Sequence, residues 1–282
     1  EIGQGADTVF SQMAAETLHM DISRVHIVTQ QDTDVTPFDT GAYASRQSFV
    51  TGTAVKECAQ QLKQKILEYA RTLVPGNVDR LELEDGYILA DGKPAISLED
   101  LAMESYYSLS NSSVLTAEVS RQVKKNTVAS GCCFAEVEVD MKLGKIKVLD
   151  IVNVHDSGTL LNPQLAAMQV HGGMFMGIGY GVSEQLLIDE KTGRPLNGTL
   201  LDYKMMTMMD TPDLTAEFVE LNDPMVHMEI NAVGELLQFQ VHRPSGMLCF
   251  MQLASGFSEI PLTPQRLIDG FTKAGLDLRK GA

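Results

Sequence analysis

From the start of the chain, apolar residues return at helical spacing. Val9, Phe10, Met13, Ala14 and Leu18 share one face of a helix that opens after Gly3-Gln4-Gly5. "RVHIVTQ" alternates as a short strand, and the polar loop "QDTDVTPFDTGAYASRQS" leads into a second, long helix over about residues 49–73. Its inner face is expected to carry Val50, Ala54, Cys58, Leu62, Ile66 and Leu73. "LELEDGYILADGKP" has the Asp-Gly pairs of a hairpin. The strongest strand pattern is Ala135-Glu136-Val137-Glu138-Val139, which turns at Gly144 into a second strand ending at His155-Asp156. A helix start, "PQLAAMQV", then runs into the glycine-rich "HGGMFMGIGYG", and "IPLTPQRLIDGFTKAGL" reads as a turn and an amphipathic helix. No internal repeat, low-complexity tract or linker interrupts the series. The pattern therefore predicts one α+β domain over residues 1–282.

One stretch breaks the pattern. From Leu236 to Phe257 the apolar positions follow neither period, and Pro244, Ser245 and Gly246 interrupt any element that might begin.

Charge and cysteine usage narrow the function classes. A formal charge of −15 over 282 residues opposes binding to a phosphate backbone, so no nucleic-acid partner is expected. No run approaches the roughly 20 apolar residues of a membrane span. Cys58, Cys132, Cys133 and Cys249 match neither a zinc nor an iron–sulfur spacing, which reads as a reduced, cytoplasmic protein. The chain opens at Glu1 inside a patterned segment, which reads as a piece of a longer subunit.

Three places could carry chemistry. Gly3-Gln4-Gly5 before a helix can cradle an anion or an amide-bearing ligand on unpaired N–H groups, or can be an ordinary turn. "GAYASRQS" sets Arg46 and Gln47 at the head of the long helix, where a guanidinium and a helix N-terminus both attract phosphate; a capped surface loop reads equally well. The glycines of "GIGYG" suggest a nucleotide fingerprint, but that motif needs a strand before the glycines. A helix start precedes them here, so close helix packing is the expected role. His155, His171 and His242 lack metal-ligand spacing and read as core or surface histidines.

Taken in order, "EIGQGADTVFSQMAAETL", "QDTDVTPFDTGAYASRQSFVTG", "NVHDSGTLLNPQLAAMQVHGGMFMGIG", "LLDYKM" and "AVGE" resemble the molybdenum-binding subunit of xanthine dehydrogenases, within the aldehyde oxidase–xanthine dehydrogenase family. The resemblance covers nearly the whole chain and is nearest to the bacterial, separate-subunit form. It implies the C-terminal molybdopterin-binding domain of such a subunit, whose N-terminal half would be a partner. It implies molybdenum held by a molybdopterin in its cytosine dinucleotide form, with iron–sulfur clusters and FAD on partner domains or subunits. Gln4 and Gln169 then correspond to pterin contacts. Ala44, Ser45, Arg46 and Gln47 correspond to the loop beneath the metal and the dinucleotide phosphates, and Glu235 to the catalytic base. The implied reaction hydroxylates a purine, xanthine or hypoxanthine, beside a ring nitrogen with water as oxygen source. An aldehyde or another N-heterocycle is the alternative substrate, and a non-catalytic remnant the alternative role. The 282 residues alone are expected to lack activity, because the groups that grip the substrate come largely from the other half.

The resemblance also accounts for the broken stretch. The family continues after its Gly-Glu with a proline-rich turn and an alanine-rich helix, absent here although the spacing to "IPLTP" is kept. Equal length with lost content points to a reading-frame slip that corrects itself. Codons for residues 236–257, regrouped, permit "APISGAPAIRNAVLYATGIRL", which has a proline-marked start, an apolar helix face and a glycine stop. A shorter slip over residues 226–231 would restore a lysine before the Gly-Glu. A nucleotide read of the locus is expected to run straight through these codons in the regrouped sense. DNA that encodes the printed residues would make this a damaged chain.

Overall fold

The computed structural model describes residues 1–29, 32–34, 36, 38–43, 45–122, 130–219, 257 and 259–276. The chain folds as two compact units, Glu1–Asn126 and Thr127–Ala282. Residues 226–231, Glu235 and all but Phe257 of the stretch 236–257 lie outside the described residues.

The first unit is built on two helices, α1 (Ala6–Leu18) and α2 (Gln47–Leu73), packed side by side. Helix α1 ends where His19 turns left-handed at φ 53°, and its C-terminal carbonyls are taken up by the next N–H groups, Met20 N donating to Ala15 O at 2.9 Å. A three-stranded antiparallel meander follows: β1 (Leu81–Glu84), β2 (Tyr87–Ala90) and β3 (Lys93–Ser97). Both turns are Asp-Gly pairs with positive φ at each residue, 43° and 78° at Asp85-Gly86 and 48° and 78° at Asp91-Gly92. That backbone matches the twist of the flanking strands, and the sequence signal for a hairpin is met. Ser97 Oγ then caps α3 (Leu98–Tyr107) by accepting the Asp100 N–H at 3.0 Å.

Ile66, Tyr69 and Ala70 of α2 bury against Leu81, Leu83, Ile88 and Leu101, which closes the core of this unit. The buried stripe of α2 is Gly52, Thr53, Ala59, Ile66, Tyr69 and Ala70. Of the residues expected on its inner face, Ile66 is fully inside and the others are half-buried. The strand expected in "RVHIVTQ" is not formed: residues 25–29 pair with no strand among the described residues, and Val28 is exposed. Alternation alone cannot hold a strand, because its N–H and C=O groups need a ladder.

In the second unit, β4 (Ser130–Asp140) and β5 (Lys145–Asp156) form the long hairpin that the alternation predicts, with the register shifting once at Glu136/Val137. At its turn Gly144 has φ +62°, and a Cβ there would lie 2.5 Å from the carbonyl oxygen of Pro264. Helix α4 (Pro163–Val182) is one continuous element capped by Asn162, whose side chain accepts the Leu165 N–H at 3.0 Å. It lays Val170, Met174 and Ile178 on Val148 and Ile151. Beyond it, β6 (Asp213–Val219) returns parallel to β5, from Asp150↔Asp213 to Asp156↔Val219. Helix α5 (Pro264–Lys273) buries Leu267 and Phe271 beside Leu262, against Val139 and Ile146 of the hairpin.

The glycine-rich run lies inside α4, so it is no strand-to-helix phosphate turn. Gly179 shows what it does: a Cβ there would sit 2.2 Å from Glu184 Oε1. The bare backbone admits that carboxylate, whose other oxygen accepts the Tyr203 hydroxyl at 3.0 Å. This bond raises the Tyr203 pKa above its ordinary value. His155 is completely buried on β5, as a core histidine.

Leu101 is fully buried where α3 meets the meander, so Leu101→Ala is expected to cost about 2–5 kcal/mol. Urea unfolding followed by far-UV circular dichroism measures it, and a loss under about 1 kcal/mol would show that Leu101 does not close this core.

Candidate functional site

An α-helix starts with N–H groups that have no partner inside the helix, and each must be met by something else. At α1 the partner is the carboxylate of Glu1. Its Oε1 accepts the N–H of Gly3 at 2.6 Å and of Gly5 at 3.2 Å, and its Oε2 accepts that of Asp7 at 3.0 Å. The Asp7 N–H does most to hold the Glu1 pKa below the usual carboxylate value, against burial, which raises it. Gly3 and Gly5 stand at φ 100° and 91°, so the turn around Gln4 is one a side-chain-bearing residue would resist.

Gln4, between those glycines, accepts the Ile2 N–H on its side-chain oxygen at 2.8 Å. That bond fixes which end of its carboxamide is oxygen, and the amide nitrogen donates to Oε1 of Gln47. Gln47 is the first residue of α2. Two of the three glutamines singled out from the sequence, Gln4 and Gln47, are thus bonded to each other at the heads of two helices.

Helix α2 begins without a side-chain cap: Arg46 stands at the N-cap in helical conformation, and Ser45 before it is left-handed at φ 50°. Arg46 Nη1 donates to Asp39 Oδ1 at 2.8 Å and to the Gly41 carbonyl at 3.0 Å. Its guanidinium also lies 5.4 Å from the centre of the Tyr43 ring. The Arg46 hydrogen bond lowers the Asp39 pKa, and the Gly41 N–H adds to the effect. The loop before α2 is thereby tied to the helix it precedes. Its donors, a guanidinium and the head of a 27-residue helix, suit an anionic or carbonyl-bearing ligand.

The remaining sequence-derived residues fall elsewhere. Gln169 is exposed on α4 in the second unit. Ala44 and Glu235 lie outside the described residues. The pattern did not single out Glu1, Asp39, Gly41 or Tyr43, although "FDTGAY" carries the Asp-x-Gly signal of a side-chain-stabilised turn, and Gly41 N does donate to Asp39 Oδ1 at 3.1 Å. Among the described residues, no group of three or more His, Cys, Asp or Glu side chains is placed to hold a metal ion. Burial on the inner side of β4 pushes the Cys133 thiol up to about 11, so it stays protonated at neutral pH. No helix among the described residues is long and apolar enough to cross a membrane.

Residues 1–212 match the family described as the molybdopterin cofactor-binding domain. The chain is 45% identical over 279 residues to the xanthine dehydrogenase molybdenum-binding subunit of Escherichia coli, an alignment that takes in 98% of this chain and 37% of that protein. It is 26% identical over 289 residues to the nicotine 6-hydroxylase large subunit of Paenarthrobacter nicotinovorans, covering 98% of this chain and 35% of the relative. Its fold superimposes on quinoline 2-oxidoreductase from Pseudomonas putida with a TM-score of 0.86 at 25% identity, over 97% of this chain and 36% of that one. The chain therefore spans a little over a third of the length of each of these proteins.

Asp39 has a depressed pKa, so its contribution to loop order is complete above the ordinary aspartate value and is lost as pH falls through the depressed one. Amide exchange of residues 39–43 is expected to accelerate over that acid window. The same dependence should be missing in Asp39→Asn, and a profile shared by both proteins would rule out the Asp39–Arg46 pair as its source.

Proposed function

The chain belongs to the molybdopterin cofactor-binding domain family, and on that premise we propose that it is the cofactor-binding part of a molybdenum hydroxylase subunit acting on a purine, xanthine or hypoxanthine. The observation that carries the reading is the joined head of α1 and α2. Gln4 and Gln47 are bonded there, beside the Arg46 fork, within the residues that match the family.

The donors fit such a group. Carboxamides and helix-terminal N–H groups suit the carbonyl and ring nitrogens of a pterin. Arg46, preset by Asp39 and Tyr43, suits a phosphate of the cytosine dinucleotide form. Ser45 and Gln47 flank Arg46 in the chain, and Ala44 and Gln169 keep the roles the family resemblance implies for them, in the loop and as a pterin contact. When bound, the cofactor supplies a two-electron redox centre and the water-derived oxygen. The chain's own part would be to orient it and to manage a proton, and Glu235 would be the base that holds that proton. A carboxylate works as a base when its surroundings bring its pKa near the working pH.

Electrons would leave to iron–sulfur clusters and FAD on partner subunits, and the rest of the molybdenum subunit would complete the substrate pocket. A cytoplasmic location accompanies this reading. The 45% identity to a xanthine dehydrogenase subunit supports a purine, and the relation to a nicotine hydroxylase supports another N-heterocycle as second choice.

The test is the whole subunit, purified with its partners. It is expected to carry molybdenum and a pterin dinucleotide and to turn over xanthine or hypoxanthine; turnover of nicotinate-like rings alone would move the assignment to the second reading, and absence of both molybdenum and pterin would refute the family role. In that enzyme Glu235→Gln should lower kcat by about 10²–10⁴-fold with molybdenum content unchanged. Unchanged kcat would remove Glu235 from the chemistry.

A further inference from the structure

Gln4 is held from two directions. Its carboxamide is fixed by the Ile2 N–H and by Gln47, and its backbone is fixed by Glu1, whose carboxylate gathers the N–H groups of Gly3, Gly5 and Asp7. Both glycines that flank Gln4 donate to the same carboxylate oxygen. Without that acceptor the turn loses what offsets its two left-handed residues and the crowding of several N–H dipoles, and it can relax. Glu1 itself is not needed as a ligand contact, because its oxygens are engaged by the turn.

We propose that Glu1 is a positioning residue for the cofactor: its carboxylate sets the Gly3-Gln4-Gly5 turn so that the Gln4 carboxamide meets the bound pterin in one orientation. This rests on the reading of Gln4 as a cofactor contact. The carboxylate is specific to the task. An amide in its place would keep one acceptor oxygen, lose the charge and turn an N–H toward the N–H of Asp7 or toward those of Gly3 and Gly5, and an aspartate would keep the charge but reach one methylene less far.

The experiment uses the full subunit with its partners in wild-type form and as Glu1→Gln, Glu1→Asp, Gln4→Ala and the Glu1→Gln/Gln4→Ala double variant. Molybdenum per folded subunit is read by elemental analysis, pterin by fluorescence after oxidative release, and folding by thermal midpoint. Glu1→Gln is expected to lower both contents about tenfold, the scale seen when an outer-shell partner of a ligand is removed. Its midpoint should stay within about 4 °C of wild type. Adding Glu1→Gln to Gln4→Ala should cost nothing more, since Glu1 acts through Gln4. Glu1→Asp should fall between, and it carries the test if Glu1→Gln does not fold. Wild-type cofactor content in Glu1→Gln, or losses that multiply in the double variant, would overturn the proposal while leaving the family role intact. A wild-type subunit that holds neither molybdenum nor pterin would overturn both.

Discussion

The demand of a helix N-terminus for partners organises the candidate site. Three of the five described helices meet it from their own N-cap: Ser97 for α3, Asn162 for α4 and Thr263 for α5. Helix α1 meets it with a carboxylate several residues away, and α2 has no side-chain cap at all. The residues that the family resemblance assigns to the cofactor in the first unit cluster where that local solution is missing. The Gln4–Gln47 bond joins the two exceptions, 43 residues apart in sequence, into one structural feature.

Features whose cause is local were legible in the sequence. The Asp-Gly turns, the span of α2 (though not the face it buries, of which only Ile66 was among the expected residues), the alternation of β4 and β5 and the proline-started α5 all depend on residues within a few positions of each other. Elements that depend on a distant partner were not. β6 is stable because it pairs with β5, and nothing within "DLTAEFV" names that partner. Residues 25–29 have the alternation and lack the ladder. For the site, the residue types and their helix-head positions could be read, but the identity of Arg46's partners and the role of Glu1 could not. Those follow from how the chain turns rather than from spacing.

The glycines of α4 show how a motif misleads when its context is ignored. Their spacing suits a phosphate turn, yet they stand inside a helix, and at Gly179 the missing Cβ is filled by the Glu184 carboxylate. That carboxylate in turn receives Tyr203, so the "LDYKM" segment is fastened to α4 through a position with no side chain of its own.

The parallel pairing of β6 with β5 bears on the order of assembly. In the first unit the meander closes between neighbouring residues, so its strands can zip as soon as they exist. In the second, the central strand must wait for everything from Ser157 to Pro212, including all of α4, before its second edge can be covered. Non-local closure of this kind is slow relative to hairpin formation. During synthesis β5 therefore spends an interval as an open edge lined by apolar residues, and that interval is when this half of the chain is most exposed to pairing with the wrong neighbour.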